Sequence, residues 1–274
     1  TRTIVTILAA ILEANPGMLV ALAAPTGKAA FRMRQSILEA MGSFDLSDSI
    51  RSALLDSVRS TTLHRLLGSK IGSVEFRRNK RNPLPHDLVV VDEASMVDLP
   101  LMAKLCNALR DKAKLILVGD ADQLAPVQGG AVFNGLVKPS KRNIFSPSDL
   151  SMMTAFSSAG TEADGKDPLL GNLVCLSQVY RREGSSSAAV LGKLCDAIRD
   201  GRADEALKLA ESGEESIRFV EKLDDPEIDP TIQAGFWDLT NAQSAKDALL
   251  ALGKFRILCA HNHGRFGVSN WNLR

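Results

Sequence analysis

The chain has 274 residues, 45% of them hydrophobic and 24% charged, the balance of a globular intracellular protein long enough for two domains at ~150 residues each. No run approaches the ~18 consecutive apolar residues of a membrane span, and the start lacks the pattern of a secretory signal, so no membrane partner and a cytoplasmic location are expected. The formal net charge is only +1, so a nucleic-acid partner would have to be held by a local groove and not by a generally basic surface.

In chain order, Thr1 to Leu12 forms an apolar-rich helix with no initiating Met, and Met18 to Ala24 forms an apolar strand. Pro25-Thr26-Gly27-Lys28 then looks like the end of a phosphate-binding P-loop, but the spacing fails. The pattern G-x-x-x-x-G-K-S/T needs glycine where Leu22 stands, and Ala29 replaces the hydroxyl residue that would reach Mg²⁺. ATP is not expected there. The segment still leads from a strand into a helix beginning near Ala29, so free backbone N–H groups and Lys28 face any approaching anion, or solvent alone. Ser60-Thr61-Thr62-Leu63-His64-Arg65-Leu66-Leu67 places a capping hydroxyl, Thr61 or Thr62, before a short apolar helix. His64 suits a surface or packed position as well as a ligand contact. Arg77-Arg78-Asn79-Lys80-Arg81, with Lys70 and Arg65 nearby, is the one local basic patch; DNA, a partner subunit or a solvated hairpin tip each explain it.

Leu88-Val89-Val90-Val91-Asp92-Glu93-Ala94-Ser95 is the most informative run. Four β-prone residues without alternation suit a strand covered on both faces of a parallel sheet, with Asp92 emerging where such sheets bind ligands. A hard cation needs oxygen ligands, and in nucleotide triphosphatases a first acid holds Mg²⁺ while a following Glu takes a proton from the attacking water. Asp92 and Glu93 fit those roles; an exposed pair capping the next helix is the structural alternative. Lys114 to Val118 is a second strand, ending in Gly119-Asp120-Ala121-Asp122-Gln123. Gln123 can donate to a γ-phosphate oxygen and accept from the attacking water, whereas Asp120 or Asp122 also suits a turn cap.

Lys138 to Lys166, rich in Ser, Gly and Asp, reads as a mobile connector or partner-facing insertion. The apolar run Leu173 to Leu176 places Val179-Tyr180-Arg181-Arg182 at a further strand end. Helices follow at Ser186 to Arg199 and Ala203 to Glu211, then a strand at Ile217 to Val220, a helix from about Thr231 to Leu252, and a strand from Phe255 to Ala260. His261 and His263 provide too few ligands for a metal. Cys106, Cys175, Cys195 and Cys259 form no C-x-x-C pair, which argues against a zinc ribbon and suits reduced thiols in the core.

Five segments in order carry a resemblance: Ala24-Pro25-Thr26-Gly27-Lys28-Ala29-Ala30, Ser60 to Gly68, Val91-Asp92-Glu93-Ala94-Ser95-Met96, Gly119 to Val127, and Val179-Tyr180-Arg181-Arg182. Together they resemble the superfamily-one DNA helicases, and within them the RecD-type alpha subunits of bacterial exodeoxyribonuclease V. The resemblance covers nearly the whole chain. It implies an α/β fold: a RecA-like P-loop NTPase motor domain with a parallel sheet at 1–182, and the start of a second, incomplete one at 183–274. It further implies that ATP and Mg²⁺ are used, with Thr1 and Asp92 on the metal, Glu93 activating water, and Gln123 and Arg181 at the γ-phosphate. Thr26, Gly27, Lys28, Thr62 and His64 would contact single-stranded DNA. By the same likeness the P-loop should precede Thr1 and later motifs should follow Arg274, so the piece alone is expected to turn over little ATP. The implied protein moves 5′ to 3′ with RecB-type and RecC-type partners in break repair, recombination and DNA degradation. A non-catalytic single-stranded DNA clamp that keeps the helicase fold is the rival reading.

Overall fold

The computed structural model describes residues 2–42, 44, 46–57, 61–70, 72–123, 129–137, 143–153, 161–162, 169, 171–176, 186–213, 217–220 and 228–273. The chain divides into two compact units, Thr1–Gln178 and Val179–Arg274.

In the first unit, helix α1 (Arg2–Ala14) leads into strand β1 (Val20–Ala24), α2 (Gly27–Met41) and α3 (Asp48–Ser57). Strand β2 (Thr61–Thr62), helix α4 (Leu63–Leu67), strand β3 (Leu88–Val91), helix α5 (Leu99–Ala108), strand β4 (Lys114–Leu117) and helix α6 (Val132–Val137) follow. The four strands form one sheet in the order β2-β1-β3-β4, and every pairing is parallel. This is the α/β architecture expected from the unalternated Leu88 to Val91 run, all four of whose residues are buried.

Period-2 alternation sorts the strand residues between two cores. Ala21, Ala23, Val89 and Val91 face one side, packed with Leu63 and Leu67 of α4, Leu101, Met102 and Leu105 of α5, and Phe133 of α6. Leu22, Leu88 and Val90 face the other, against Val5, Leu8 and Leu12 of α1, Met33 and Ile37 of α2, and Leu54 of α3. Leu22, the residue that breaks the P-loop spacing, is thus a core residue at 1% exposure. Burying both faces under helices is what a parallel sheet requires, since each strand must cross back through a covering segment.

Beyond α6 lie a two-stranded parallel pair, β5 (Ile144–Phe145) with β6 (Thr161–Glu162), and helix α7 (Pro147–Met153). The described part of the stretch read as a connector is therefore folded. Ser146 starts α7, its hydroxyl accepting from the Asp149 N–H at 3.2 Å, and the Asn143 side chain bonds both backbone groups of Cys175.

The elements among the described residues of the second unit are helices: α8 (Ser186–Arg199), α9 (Ala203–Ala210), α10 (Ile228–Thr240), α11 (Ala245–Ala251) and α12 (Val268–Trp271). Three sequence expectations are corrected. Residues 173–176, 217–220 and 255–259 form no strand, and Val174, Leu176 and Leu258 are exposed at 62%, 69% and 91%. The single helix expected over 231–252 is two, because the Thr240 and Asn241 side chains bond the Trp237 carbonyl and Ser244 caps a new start on the Asp247 N–H. The cysteines are not core residues: Cys106 and Cys195 are exposed and Cys175 and Cys259 half-buried. Cys106 lies one position off the Met102, Leu105, Ala108 stripe that α5 buries.

Candidate functional site

Parallel strands all finish at the same sheet edge, and the register shows which finishing residues become neighbours. Ala24 pairs with Thr62, Ala23 with Val91, and Val91 with Leu117. The next hydrogen bonds continue outward: Asp92 N–H donates to Ala23 O at 2.9 Å, and Val118 N–H to Val91 O at 2.8 Å. Along this edge the order is Thr62 and His64, then Thr26 to Lys28, then Asp92 and Glu93, then Asp120 and Gln123. Segments far apart in sequence therefore form one row.

Each part has a local reason. Thr26 is the N-cap of α2, its extended backbone (φ −119°, ψ 154°) letting Oγ1 accept from the Ala29 N–H at 3.1 Å. Thr62 does the same for α4, accepting from the Arg65 N–H at 3.2 Å, which settles which hydroxyl is the cap. A hydroxyl that accepts from a cap N–H keeps its own proton as a donor, so both threonines remain able to bond a phosphate oxygen. Thr26, Gly27 and Lys28 are exposed, and the N–H groups of Gly27 and Lys28 open the first turn of α2. Gly68, at φ 70°, closes α4 through the Gly68 and Ser69 N–H groups onto the Arg65 and His64 carbonyls.

His64 is exposed, and its ring meets that of Phe76 edge-on at 5.8 Å. Lys104 Nζ covers the Phe76 ring at 4.5 Å and donates to Val74 O at 2.7 Å. Sequence reasoning missed this support for His64; its only trace is Phe76 closing a short ladder opposite Ser69. The basic run follows directly: the Arg77 and Arg78 N–H groups donate to Gly68 O and Leu67 O, Asn79 and Asn82 make a tight turn, and Arg78 is tied to Asn82 Oδ1 and Pro83 O.

Asp92 and Glu93 are half-buried. Asp92 Oδ1 accepts from the Glu93 N–H at 2.9 Å, leaving Oδ2 for a metal or its water. Glu93 has φ 53° and ψ 39°, a left-handed backbone with no signature in the sequence. The pair does not cap the next helix. That cap is Asp98, whose Oδ1 accepts from the Leu101 N–H at 2.8 Å. Asp120 does cap its own turn, accepting from the Asp122 N–H at 2.9 Å, and so presents the exposed Gln123. Among the described residues no three His, Cys, Asp or Glu side chains gather as a metal cage. The donor set still fits Mg²⁺, which is usually held by one or two carboxylates with substrate phosphates and water. Thr1 and Arg181, with residues 124–127 of the Gln123 segment and Val179 to Arg182, lie outside the described residues.

A family model described as an AAA domain matches residues 1–129. Against the RecBCD enzyme subunit RecD of Mycobacterium tuberculosis, the chain is 40% identical over 283 aligned residues, covering 100% of this chain. The chain is similar to RecD along its whole length. It spans 43% of that relative's length, so the RecD-type match here is to less than half of the longer protein. RecD of Mycolicibacterium smegmatis is 36% identical over 96% of this chain and 42% of its own length. The ATP-dependent RecD2 DNA helicase of Deinococcus radiodurans is 39% identical over 43% of this chain and 14% of its own length. A solved Pif1 helicase structure covers 77% of this chain and 45% of its own with a TM-score of 0.38 and 18% identity, which adds nothing to the sequence match. Among the described residues no helix is long and apolar enough to cross a membrane.

Proposed function

We propose that this RecD-type segment belongs to an ATP-dependent DNA helicase subunit that moves 5′ to 3′ along single-stranded DNA. It would work with RecB-type and RecC-type subunits in cytoplasmic break repair and DNA degradation. In this reading residues 1–182 are the first motor domain and 183–274 begin the second. The observation that carries it is the row of strand ends, where two threonines, Lys28 and His64 stand beside a carboxylate pair and an exposed amide. One half of that row suits phosphates of a nucleic acid, the other a triphosphate and water.

Asp92, with Thr1, would hold Mg²⁺, which neutralises charge on the phosphates when bound. Glu93 takes a proton from the attacking water at its carboxylate. Gln123 orients that water, accepting from it through the amide oxygen and donating through the amide nitrogen to a γ-phosphate oxygen. Arg181 brings a planar, permanently charged fork to the same phosphate. Thr26 and Thr62 donate their hydroxyl protons to the DNA backbone, the first turn of α2 offers N–H groups, Lys28 adds a cation, and His64 stacks on a base.

The test uses the protein at the full length of its RecD relatives. Glu93→Gln should keep ATP binding and slow DNA-stimulated phosphate release by ~10²-fold or more, the scale of a lost general base. On duplexes bearing a single tail, wild type should unwind the 5′-tailed one. Equal hydrolysis by both proteins would refute the role of Glu93, and unwinding confined to the 3′-tailed duplex would refute the polarity. Tight DNA binding without any DNA-stimulated hydrolysis would make the protein a clamp.

A further inference from the structure

Glu93 stands in the left-handed region at φ 53°, a backbone that a long side chain without a local hydrogen-bonding group seldom adopts. Asn143, the other non-glycine residue there among those described, belongs to the type that tolerates it. Something outside Glu93 must therefore hold the conformation. The backbone around it is stitched to the exit of β4. Ala94 N–H donates to Val118 O at 2.8 Å, and Met96 N–H returns to Glu93 O at 3.0 Å, forming the 3-10 turn Ala94–Met96.

That docking is possible because the residue after Val118 has no side chain. A Cβ on Gly119 would lie 2.9 Å from the Ser95 backbone nitrogen and 3.1 Å from the Phe133 ring. Phe133 can shift its ring; the Ser95 nitrogen can withdraw only by moving the turn and stretching the Ala94 to Val118 bond. Gly119 has no left-handed φ, so a side chain is refused there by space and not by backbone conformation. A second glycine repeats the arrangement on the same segment: Gly130, at φ 97°, would bring a Cβ 2.7 Å from Leu99 Cβ. Both ends of the stretch that carries Gln123 are thus seated against the residues that follow Glu93.

We propose that Gly119 is a positioning residue for Glu93: its bare Cα seats the 94–96 turn on the end of β4 and thereby fixes the left-handed backbone that aims the Glu93 carboxylate. The proposal rests on the reading of Glu93 as the base. Since Gly119 also opens the loop of Asp120 and Gln123, one junction sets both the acid and the amide.

The experiment is DNA-stimulated ATPase kinetics of the full-length protein, with nucleotide binding and thermal melting measured on the same preparations. Gly119→Ala should lower kcat about tenfold or more while KM for ATP stays within about threefold, the signature of an interaction needed in the transition state and not for binding. Gly129→Ala, which adds a methyl group where nothing lies within 4 Å, should leave kcat unchanged. Adding Phe133→Leu to Gly119→Ala should not restore turnover, because the obstacle is the Ser95 backbone. If Gly119→Ala does not fold, Ala94→Pro decides, since it deletes the N–H given to Val118; the same loss of kcat is expected. Unchanged kcat in the folded variant, a rise in KM alone, or rescue by Phe133→Leu would overturn the proposal. Glu93→Gln is run alongside: if it retains turnover, the base assignment fails first, whereas if it is inactive and Gly119→Ala is normal, only the positioning role fails.

Discussion

Thr26 offers a sharp test of the DNA-facing half of the row, because its hydroxyl has two separable duties. As the N-cap of α2 it accepts from the Ala29 N–H; as an exposed O–H it donates outward. Thr26→Ala removes both, costing about 1 kcal/mol of cap stability. In a unit of the size of Thr1–Gln178 that lowers Tm by roughly 2–4 °C. Losing one neutral hydrogen bond to DNA costs about another 1 kcal/mol of binding, or roughly fivefold in Kd. Thr26→Asp divides the duties. Aspartate caps at least as well as threonine, and α2 has no acidic residue in its first turn, so the helix dipole favours the added charge and Tm should hold or rise. Facing a phosphate at ~4 Å, that charge adds about 1 kcal/mol of repulsion even at the dielectric of water. With the lost donor this makes about 2 kcal/mol, roughly a thirtyfold loss of affinity. Fluorescence anisotropy with a single-stranded oligonucleotide at fixed salt, paired with thermal melts, reads both effects. An aspartate variant that binds DNA as tightly as wild type would leave Thr26 a helix cap facing solvent.

Two further outcomes concern Lys28 and His86. Lys28→Ala should reduce the slope of log affinity against log salt by ~0.7, the value for one phosphate contact on a single strand, with no change in sequence preference; an unaltered slope takes Lys28 off the track. His86, half-buried before β3, is held below its ordinary pKa of 6.5 by desolvation and by the Arg78 and Arg110 charges, with Asp87 acting weakly the other way. The unfolded chain therefore binds the proton more readily, so stability is full above 6.5 and declines as pH falls toward the lower folded value. His86→Gln should flatten that acid decline in a melt series from about pH 7.5 to 5, and an identical decline in both proteins would remove His86 as its source.

The sheet and its acidic edge were legible because their signals are local and redundant. Leu88 to Val91 lacks alternation, which only a doubly covered strand tolerates, and the acids begin where the apolar run stops. The same holds for Thr26 and Thr62, where extended residues with short hydroxyl side chains precede apolar-periodic helices. What was not legible depends on partners distant in sequence. Nothing in Asp92-Glu93-Ala94 announces a left-handed Glu93, because the constraint comes from the end of β4, about 25 residues downstream. Nor could the pairing of His64 with Phe76, which depends on a bridge from Phe76 back to Ser69, be read from either residue.

The missing strands of the second unit show the complementary limit. Phe255-Arg256-Ile257-Leu258-Cys259-Ala260 has the β-prone composition of Leu88 to Val91, but a strand is defined by hydrogen bonds to a neighbour and not by its own residues. Among the described residues of that unit there is no strand for it to pair with, and Leu258 stands 91% exposed. What order the segment has comes from one end, where Phe255 packs edge-on against Phe236 of α10 at 5.1 Å and Lys254 pairs with Asp238 at 2.7 Å. A sequence run thus specifies which backbone conformation is available, and a pairing partner decides whether it is used. In the first unit β1 and β3 supply each other with that partner in register from Val20 and Leu88 onward, which is why the acids that β3 delivers stand beside Thr26 and Lys28 at the end of β1.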